Sequence, residues 1–212
     1  MNFPIKIKKL STSDSQFFEQ VKTIYLNSFP ASERQEPSVF TDRFLSGESI
    51  FFVILSKENQ VLAMCSLFDL HTHDFVLLDY LAVEESNRDK GLGAILFQAI
   101  KEWAFKNFKK IIIEVENPLY GEDRLDKERR ISFYERQGAQ LLTGVRYLLP
   151  PLDGKTIEEM NLMIVAKIKD EKFSNKIVFE LIEQIYQRVY RRSKNDALLT
   201  EIKKGLTSEI IN

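Results

Sequence analysis

Three apolar, β-branched runs follow one another with only short polar breaks between them, and this constrains the fold more than any other feature of the chain. The runs are Ile50 to Lys57, Val61 to Leu70 and Phe75 to Val83. The breaks are Glu58-Asn59-Gln60 and His71-Thr72-His73-Asp74. Parallel neighbours need a crossover of about a dozen residues or more, so breaks this short require an antiparallel meander. Chain character then changes. Glu84 to Lys90 is polar, and Gly91 to Asn107 sets Leu92, Ile95, Leu96, Ala99, Ile100, Trp103 and Ala104 at helical spacing. Lys110 to Glu116, with three isoleucines in a row, reads as the next strand.

Upstream, Ile5 to Leu10 reads as a strand. Ser11 to Phe29 reads as a helix with Phe17, Phe18, Val21, Ile24 and Tyr25 on one face and Ser13 or Asp14 as its cap. Pro30 and Pro37 break that pattern, and Phe40 to Leu45 adds a short helix. Downstream, Asn117 to Lys127 is a polar loop and Glu128 to Gln137 a short helix stopped by Gly138. Gln140 to Leu149 and Met160 to Ile168 read as two further strands. A strand, a crossover helix and a following strand usually end up parallel. The expected fold is therefore α/β (α+β), a mixed, mostly antiparallel central sheet with flanking helices, over residues 1–170. Residues 171–212 form a C-terminal helical extension, in which Lys172 to Lys194 reads as one amphipathic helix with a stripe of Ile177, Val178, Leu181, Ile182, Ile185 and Val189. That stripe must be covered, by packing on the chain itself or by a homodimer contact.

Composition narrows the function. The chain has 212 residues and a formal net charge of -1, so no global field recruits nucleic acid or an anionic membrane. Nucleic-acid binding through the basic residues between Arg124 and Arg136 and those of the tail is disfavoured by the balanced charge of the whole chain. Cys65 is the single cysteine, which suits a reducing compartment. No stretch approaches the roughly 20 apolar residues of a membrane span, and the N-terminus lacks a signal-peptide core. The expectation is a cytoplasmic protein. His71 and His73 have no nearby partner ligands, so no metal is expected.

The informative stretch is Arg88-Asp89-Lys90-Gly91-Leu92-Gly93, between a strand and a helix. Two glycines one residue apart let backbone approach a ligand closely. A helix N-terminus offers unpaired N–H groups and partial positive charge, which suits a pyrophosphate. A third glycine near Leu96 is absent, which argues against a dinucleotide-binding fingerprint, and no Gly-Lys-Ser/Thr is present for a P-loop.

With Leu78-Asp79-Tyr80-Leu81-Ala82-Val83 before it, Arg88-x-x-Gly91-x-Gly93 resembles the acyl-CoA loop of the GNAT acetyltransferase superfamily. Ile113-Glu114-Val115 is similar to the family's next strand. Phe133-Tyr134-Glu135-Arg136-Gln137-Gly138 is similar to its next helix and following glycine.

The resemblance implies an N-acetyltransferase that passes an acetyl group from acetyl-CoA to an amine in a ternary complex. Backbone N–H groups of Arg88, Asp89, Lys90, Gly91, Leu92, Gly93 and Ala94 would hold the pyrophosphate. Leu81, Ala82 and Val83 would pair with the pantetheine arm, and the N–H of Leu81 or Ala82 would polarise the thioester carbonyl. Tyr134 would protonate the thiolate. Glu114 is the first candidate base, with Asp79 and Glu116 as rivals. Glu33 and Arg34 lie in a loop that often lines the acceptor site in this fold. The family's usual asparagine and alanine ahead of the tyrosine are here Lys127 and Arg130. That departure motivates a second reading, a non-catalytic module that binds acyl-CoA. The acceptor amine is not specified by any of these residues.

Overall fold

A computed structural model describes residues 5–31, 33–152, 157–168 and 171–206. In chain order its elements are β1 (Lys6–Lys9), α1 (Ser15–Ser28), α2 (Pro37–Leu45), β2 (Ser49–Leu55), β3 (Val61–Asp69) and β4 (Phe75–Val83). A short 3₁₀ turn (Glu85–Asn87), α3 (Leu92–Lys106), β5 (Lys110–Glu116), α4 (Arg124–Arg136), β6 (Gln140–Leu141), β7 (Tyr147–Leu149) and β8 (Glu158–Val165) follow. The chain ends with α5 (Asn175–Gln184), a π-helical turn (Ile185–Val189) and α6 (Ala197–Gly205). It divides into two compact units, Met1–Asp69 with Leu78–Trp103, and Leu70–Leu77 with Ala104–Asn212. Both are α/β, with antiparallel strand pairs and flanking helices.

In the first unit β1 runs antiparallel to β2 and β2 to β3, with β4 next in order. The turn between β2 and β3 carries Asn59 at φ 60°, a left-handed conformation that asparagine tolerates better than most residues. β3 is apolar and buried over nearly its whole length, so only a covered sheet accommodates it. α1 buries Phe17, Phe18, Val21, Ile24 and Tyr25, the face its sequence spacing predicts. Phe18 stacks on Phe44 at 4.0 Å and Tyr25 on Phe40 at 3.9 Å, while Tyr80 meets Tyr25 edge-on at 4.8 Å. The abundance of Phe and Tyr is thus spent on clamping the first two helices to the sheet. α2 begins at Pro37, three residues before the start read from the sequence. Proline breaks a helix interior but suits the first turn, where its missing N–H has no intrahelical partner to lose.

In the second unit β8 is the organiser. It pairs antiparallel with β5 along its length and with both β6 and β7. The sequence reads Gln140 to Leu149 as one strand, but it is broken in two. Leu141 lies opposite Met163 and Tyr147 opposite Met160, so the chain between them carries more residues than β8 offers and loops out. Gly144 at φ 76° is in that loop. α4 starts at Arg124, earlier than the expected Glu128, after Asp123 turns the chain at φ 58°. It ends at Gly138, φ 93°, as a C-terminal glycine should.

The single helix expected over Lys172 to Lys194 is also divided. α5 passes into the π turn, Arg191 adopts φ 52°, and a new helix starts with Asp196 accepting a capping bond from the Leu198 N–H at 2.8 Å. Val178, Leu181, Ile182, Ile185 and Val189 are each 0% exposed. The stripe is covered by the chain itself, which removes the reason for expecting a homodimer contact through this helix. Leu181→Ala should therefore cost about 2–5 kcal/mol, as a cavity in a packed core does. Urea unfolding measures it, and a loss below about 0.5 kcal/mol, typical of an exposed site, would contradict this packing.

Candidate functional site

In the first unit the predicted loop follows β4 directly. The Glu84 N–H donates to the Leu62 carbonyl at 2.9 Å, which closes the strand. The Glu84 carboxylate then accepts from Ser86 Oγ at 2.6 Å and Asn87 Nδ2 at 2.7 Å, pinning the 3₁₀ turn. Asp89 (φ 61°) and Gly91 (φ 78°) are both left-handed, and together they swing the chain from the turn into α3. The Ile95 N–H donates to the Gly91 carbonyl at 3.2 Å, as the first bond of the helix. The N–H groups of Leu92, Gly93 and Ala94 therefore precede the ladder and lie at its positive end. A Cβ on Gly91 would meet nothing within 4 Å, so what fixes glycine there is the backbone angle and not crowding. Lys90 Nζ folds back to the Ser86 carbonyl at 2.8 Å and to Asn87 Oδ1 at 2.9 Å, stiffening the loop while keeping its charge there.

The same unit holds Asp79 and the segment after α1. Asp79 Oδ2 accepts from Arg43 Nη1 at 3.3 Å, with side chains 6% and 1% exposed. The Arg43 guanidinium also stands over the Phe68 ring at 5.1 Å. Burial lifts the Asp79 carboxyl to about 6, against the downward pull of Arg43. Arg34 Nη1 donates to the carbonyls of Leu26, at 3.3 Å, and Phe29, covering the C-terminal end of α1. The Glu33 N–H donates to the Pro30 carbonyl at 3.0 Å, and Glu33 is exposed. Tyr25 Oη donates to the Gln35 carbonyl at 2.7 Å, and the Gln35 N–H donates to Tyr80 Oη at 3.0 Å, so this segment is tied to β4. Arg43 was not singled out from the sequence; the signal available was its place three residues after Phe40 and next to Phe44, on the face of α2 that these aromatics bury.

In the second unit Glu114 and Glu116 share one face of β5. Glu114 accepts from two phenols, Tyr147 Oη on Oε1 and Tyr190 Oη on Oε2, the latter at 2.8 Å. Glu116 forms an ion pair with Arg130. Lys127 Nζ donates to the Tyr120 carbonyl at 2.7 Å. The two residues that depart from the family pattern thus have local partners in the long loop and on β5. Tyr134 is 8% exposed on α4, its ring edge-on to Phe133 at 5.1 Å. Tyr147 and Tyr190 were not singled out from sequence, since nothing local links either to Glu114. Among the described residues no set of three or more His, Cys, Asp and Glu side chains is arranged to hold a metal ion, and no helix is long and apolar enough to cross a membrane.

Asp79 makes a testable link between pH and stability. Its folded value near 6 lies above the ordinary 3.8. The native state therefore binds a proton that the unfolded state releases, and the resulting stabilisation is full below the unfolded value and lost as pH rises through 6. Measured by denaturant unfolding, the stability of the wild type relative to Asp79→Asn should increase by about 2 kcal/mol between pH 7 and pH 4. A difference constant across that range would contradict the rise that burial gives Asp79.

Comparison with known proteins fits this arrangement. The family described as Acetyltransferase (GNAT) family matches residues 16–139. "Putative acetyltransferase YjbC" of Bacillus subtilis (strain 168) is 30% identical over 116 residues, 55% of this chain and 56% of that protein. The match thus spans little more than half the length of that curated relative. A solved GNAT-family structure from Bacteroides thetaiotaomicron superposes with a TM-score of 0.73 at 21% identity, over 89% of this chain and 99% of that one. An aminoglycoside 6'-N-acetyltransferase complexed with coenzyme A gives 0.60 at 14% identity, over 78% and 99%. At such identities the structural likeness speaks for the fold alone. The family match takes in Asp79, the Arg88–Ala94 loop, Glu114 and Tyr134 together, and on its extent this chain belongs to the acetyltransferase (GNAT) family.

Proposed function

We propose that the protein is an acetyl-CoA-dependent N-acetyltransferase whose Arg88–Ala94 loop binds the pyrophosphate of the cofactor. One observation carries the reading: two left-handed residues deliver three successive N–H groups, those of Leu92, Gly93 and Ala94, to the N-terminal end of a 15-residue helix. The coenzyme A held by the structurally similar aminoglycoside N-acetyltransferase supports the ligand class. Arg88 and Lys90 add charge beside the loop, and the main chain of Leu81 to Val83 pairs with the pantetheine arm.

In this reading the amine nitrogen attacks the thioester carbonyl, whose oxygen is stabilised by the Leu81 or Ala82 N–H. A base removes a proton from nitrogen, the C–S bond breaks, and the departing thiolate takes the Tyr134 hydroxyl proton. Solvent then restores Tyr134 and the base, leaving an N-acetyl amine and coenzyme A thiol. We assign the base to Glu114, acting through water. Its two phenol donors fix the direction of the carboxylate without adding a countercharge, which suits a group that must take up and release a proton. Asp79 is buried against Arg43, on the inner side of α2, so it serves here as an anchor. Arg34 braces α1 in the same way, Glu116 is tied to Arg130, and Glu33, exposed after α1, is the acidic group assigned to the acceptor side.

The test is thiol release from acetyl-CoA against a panel holding a polyamine, an aminoglycoside and a lysine peptide. Tyr134→Phe should lower kcat by about 10²-fold or more, the usual worth of a general acid, and leave acetyl-CoA affinity within about threefold. Unchanged turnover would remove Tyr134 from the mechanism. Wild-type binding of acetyl-CoA with no turnover on any amine would favour the non-catalytic acyl-CoA-binding module instead.

A further inference from the structure

The carboxylate read above as the base is gripped by a residue far away in sequence. Tyr190 lies 76 positions after Glu114, beyond the last strand of the sheet. It follows the π turn directly, and its N–H donates to the Ile185 carbonyl at 3.1 Å, one residue further back than an α-helix would reach. Each residue of an α-helix advances the side-chain direction by about 100°, so the wider turn re-aims every side chain after it. Arg191, at φ 52°, then ends the run. Turns of this kind often mark functional positions, and here a specific consequence is visible: the Tyr190 hydroxyl meets Glu114 Oε2 at 2.8 Å.

A second tyrosine secures the turn. Tyr186 Oη donates to the Leu148 carbonyl on β7, and its ring stands edge-on to both Tyr147, at 6.2 Å, and Tyr190, at 6.5 Å. Tyr147 sits on β7 opposite Met160, and Glu114 on β5 opposite Leu162, so neighbouring registers on β8 bring the first phenol to the carboxylate. The π turn brings the second.

We propose that Tyr190 is a positioning residue for acetyl transfer: its hydroxyl, supplied by the C-terminal segment, holds Glu114 ionised and in one orientation, so that this segment completes the site. The proposal rests on the reading of Glu114 as the base. At neutral pH a phenol beside a carboxylate is the donor, and a donor to the charged form favours that form. Burial pushes the Tyr147 hydroxyl well above its ordinary range, so that donor never ionises in working conditions. Facing Glu114 are Tyr147 of β7, Tyr186 of the π turn and Tyr190 just after it; further along β5, Glu116 pairs with Arg130 of α4. Asp196, Arg192 and Glu201 act in turn on Tyr186.

Tyr190→Phe keeps the ring and deletes the donor. In protein labelled with ¹³C at glutamate carboxyls, the Glu114 resonance is identified by its loss in Glu114→Gln and titrated in wild type and Tyr190→Phe. The proposal predicts a midpoint about one to two pH units higher in Tyr190→Phe, the worth of one hydrogen bond to a charged group, with the other glutamates unmoved. The acid limb of acetyl-CoA thiol release, with an amine the wild type acetylates, should move upward with it. An unchanged Glu114 midpoint in a folded variant would overturn the proposal, because a residue that only filled space would leave the titration alone. The assignment of the base is judged separately. Thiol release by Glu114→Gln at the wild-type rate would remove Glu114 as base, whatever the titration of Tyr190→Phe shows.

Discussion

The left-handed pair Asp89 and Gly91 decides where α3 begins, and the functional reading depends on that start. An L-residue pays a steric penalty at positive φ, and glycine does not, so the step from strand to helix can be this abrupt only where such a residue is allowed. Here the step leaves the N–H groups of Leu92, Gly93 and Ala94 at the helix end with no intrahelical acceptor. Open space around Gly91 keeps the approach to them clear. The 3₁₀ turn, fastened by Glu84 and by Lys90, holds the loop before any ligand arrives. Preorganisation of this kind lowers the entropy lost on binding.

Two buried or half-buried carboxylates meet opposite solutions. Asp79 is held by a guanidinium that is itself 1% exposed, an arrangement that ties both charges in place and makes each hard to alter alone. Glu114 is held by neutral phenols. Neutral donors stabilise the anion without adding a second charge that would have to be rebalanced when the carboxylate takes up a proton. That contrast is what separates an anchoring carboxylate from one suited to proton transfer, and the bare sequence lists both simply as acids on apolar strands.

Much of the fold was legible because its signals are local. Short polar breaks announced the meander, and β5 matched its isoleucine run residue for residue. The apolar spacing of α1 gave its buried face correctly. What escaped depended on partners distant in the chain. Gln140 to Leu149 looks like one strand until β8 imposes a register that forces residues out around Gly144. Residues 172–194 keep apolar residues at helical spacing up to Val189, the last residue of the π turn, so spacing alone does not announce the turn. Pro37 looked like a break, although the first turn of a helix is where proline costs least. The loop site was readable from a contiguous motif. The Glu114 cluster was not, since its three members come from β5, β7 and the C-terminal segment.

Calorimetric titration of acetyl-CoA into the protein, with Gly91→Glu as the comparison, tests the central claim most directly. The substitution places an L-residue at φ 78° and a negative charge at the helix end, without steric conflict from neighbouring atoms. The account predicts saturable binding by the wild type and a loss of about tenfold or more in the variant, the scale of 1.4 kcal/mol. Equal affinity in both proteins, or no binding by the wild type, would contradict the assignment of this loop as the acyl-CoA site.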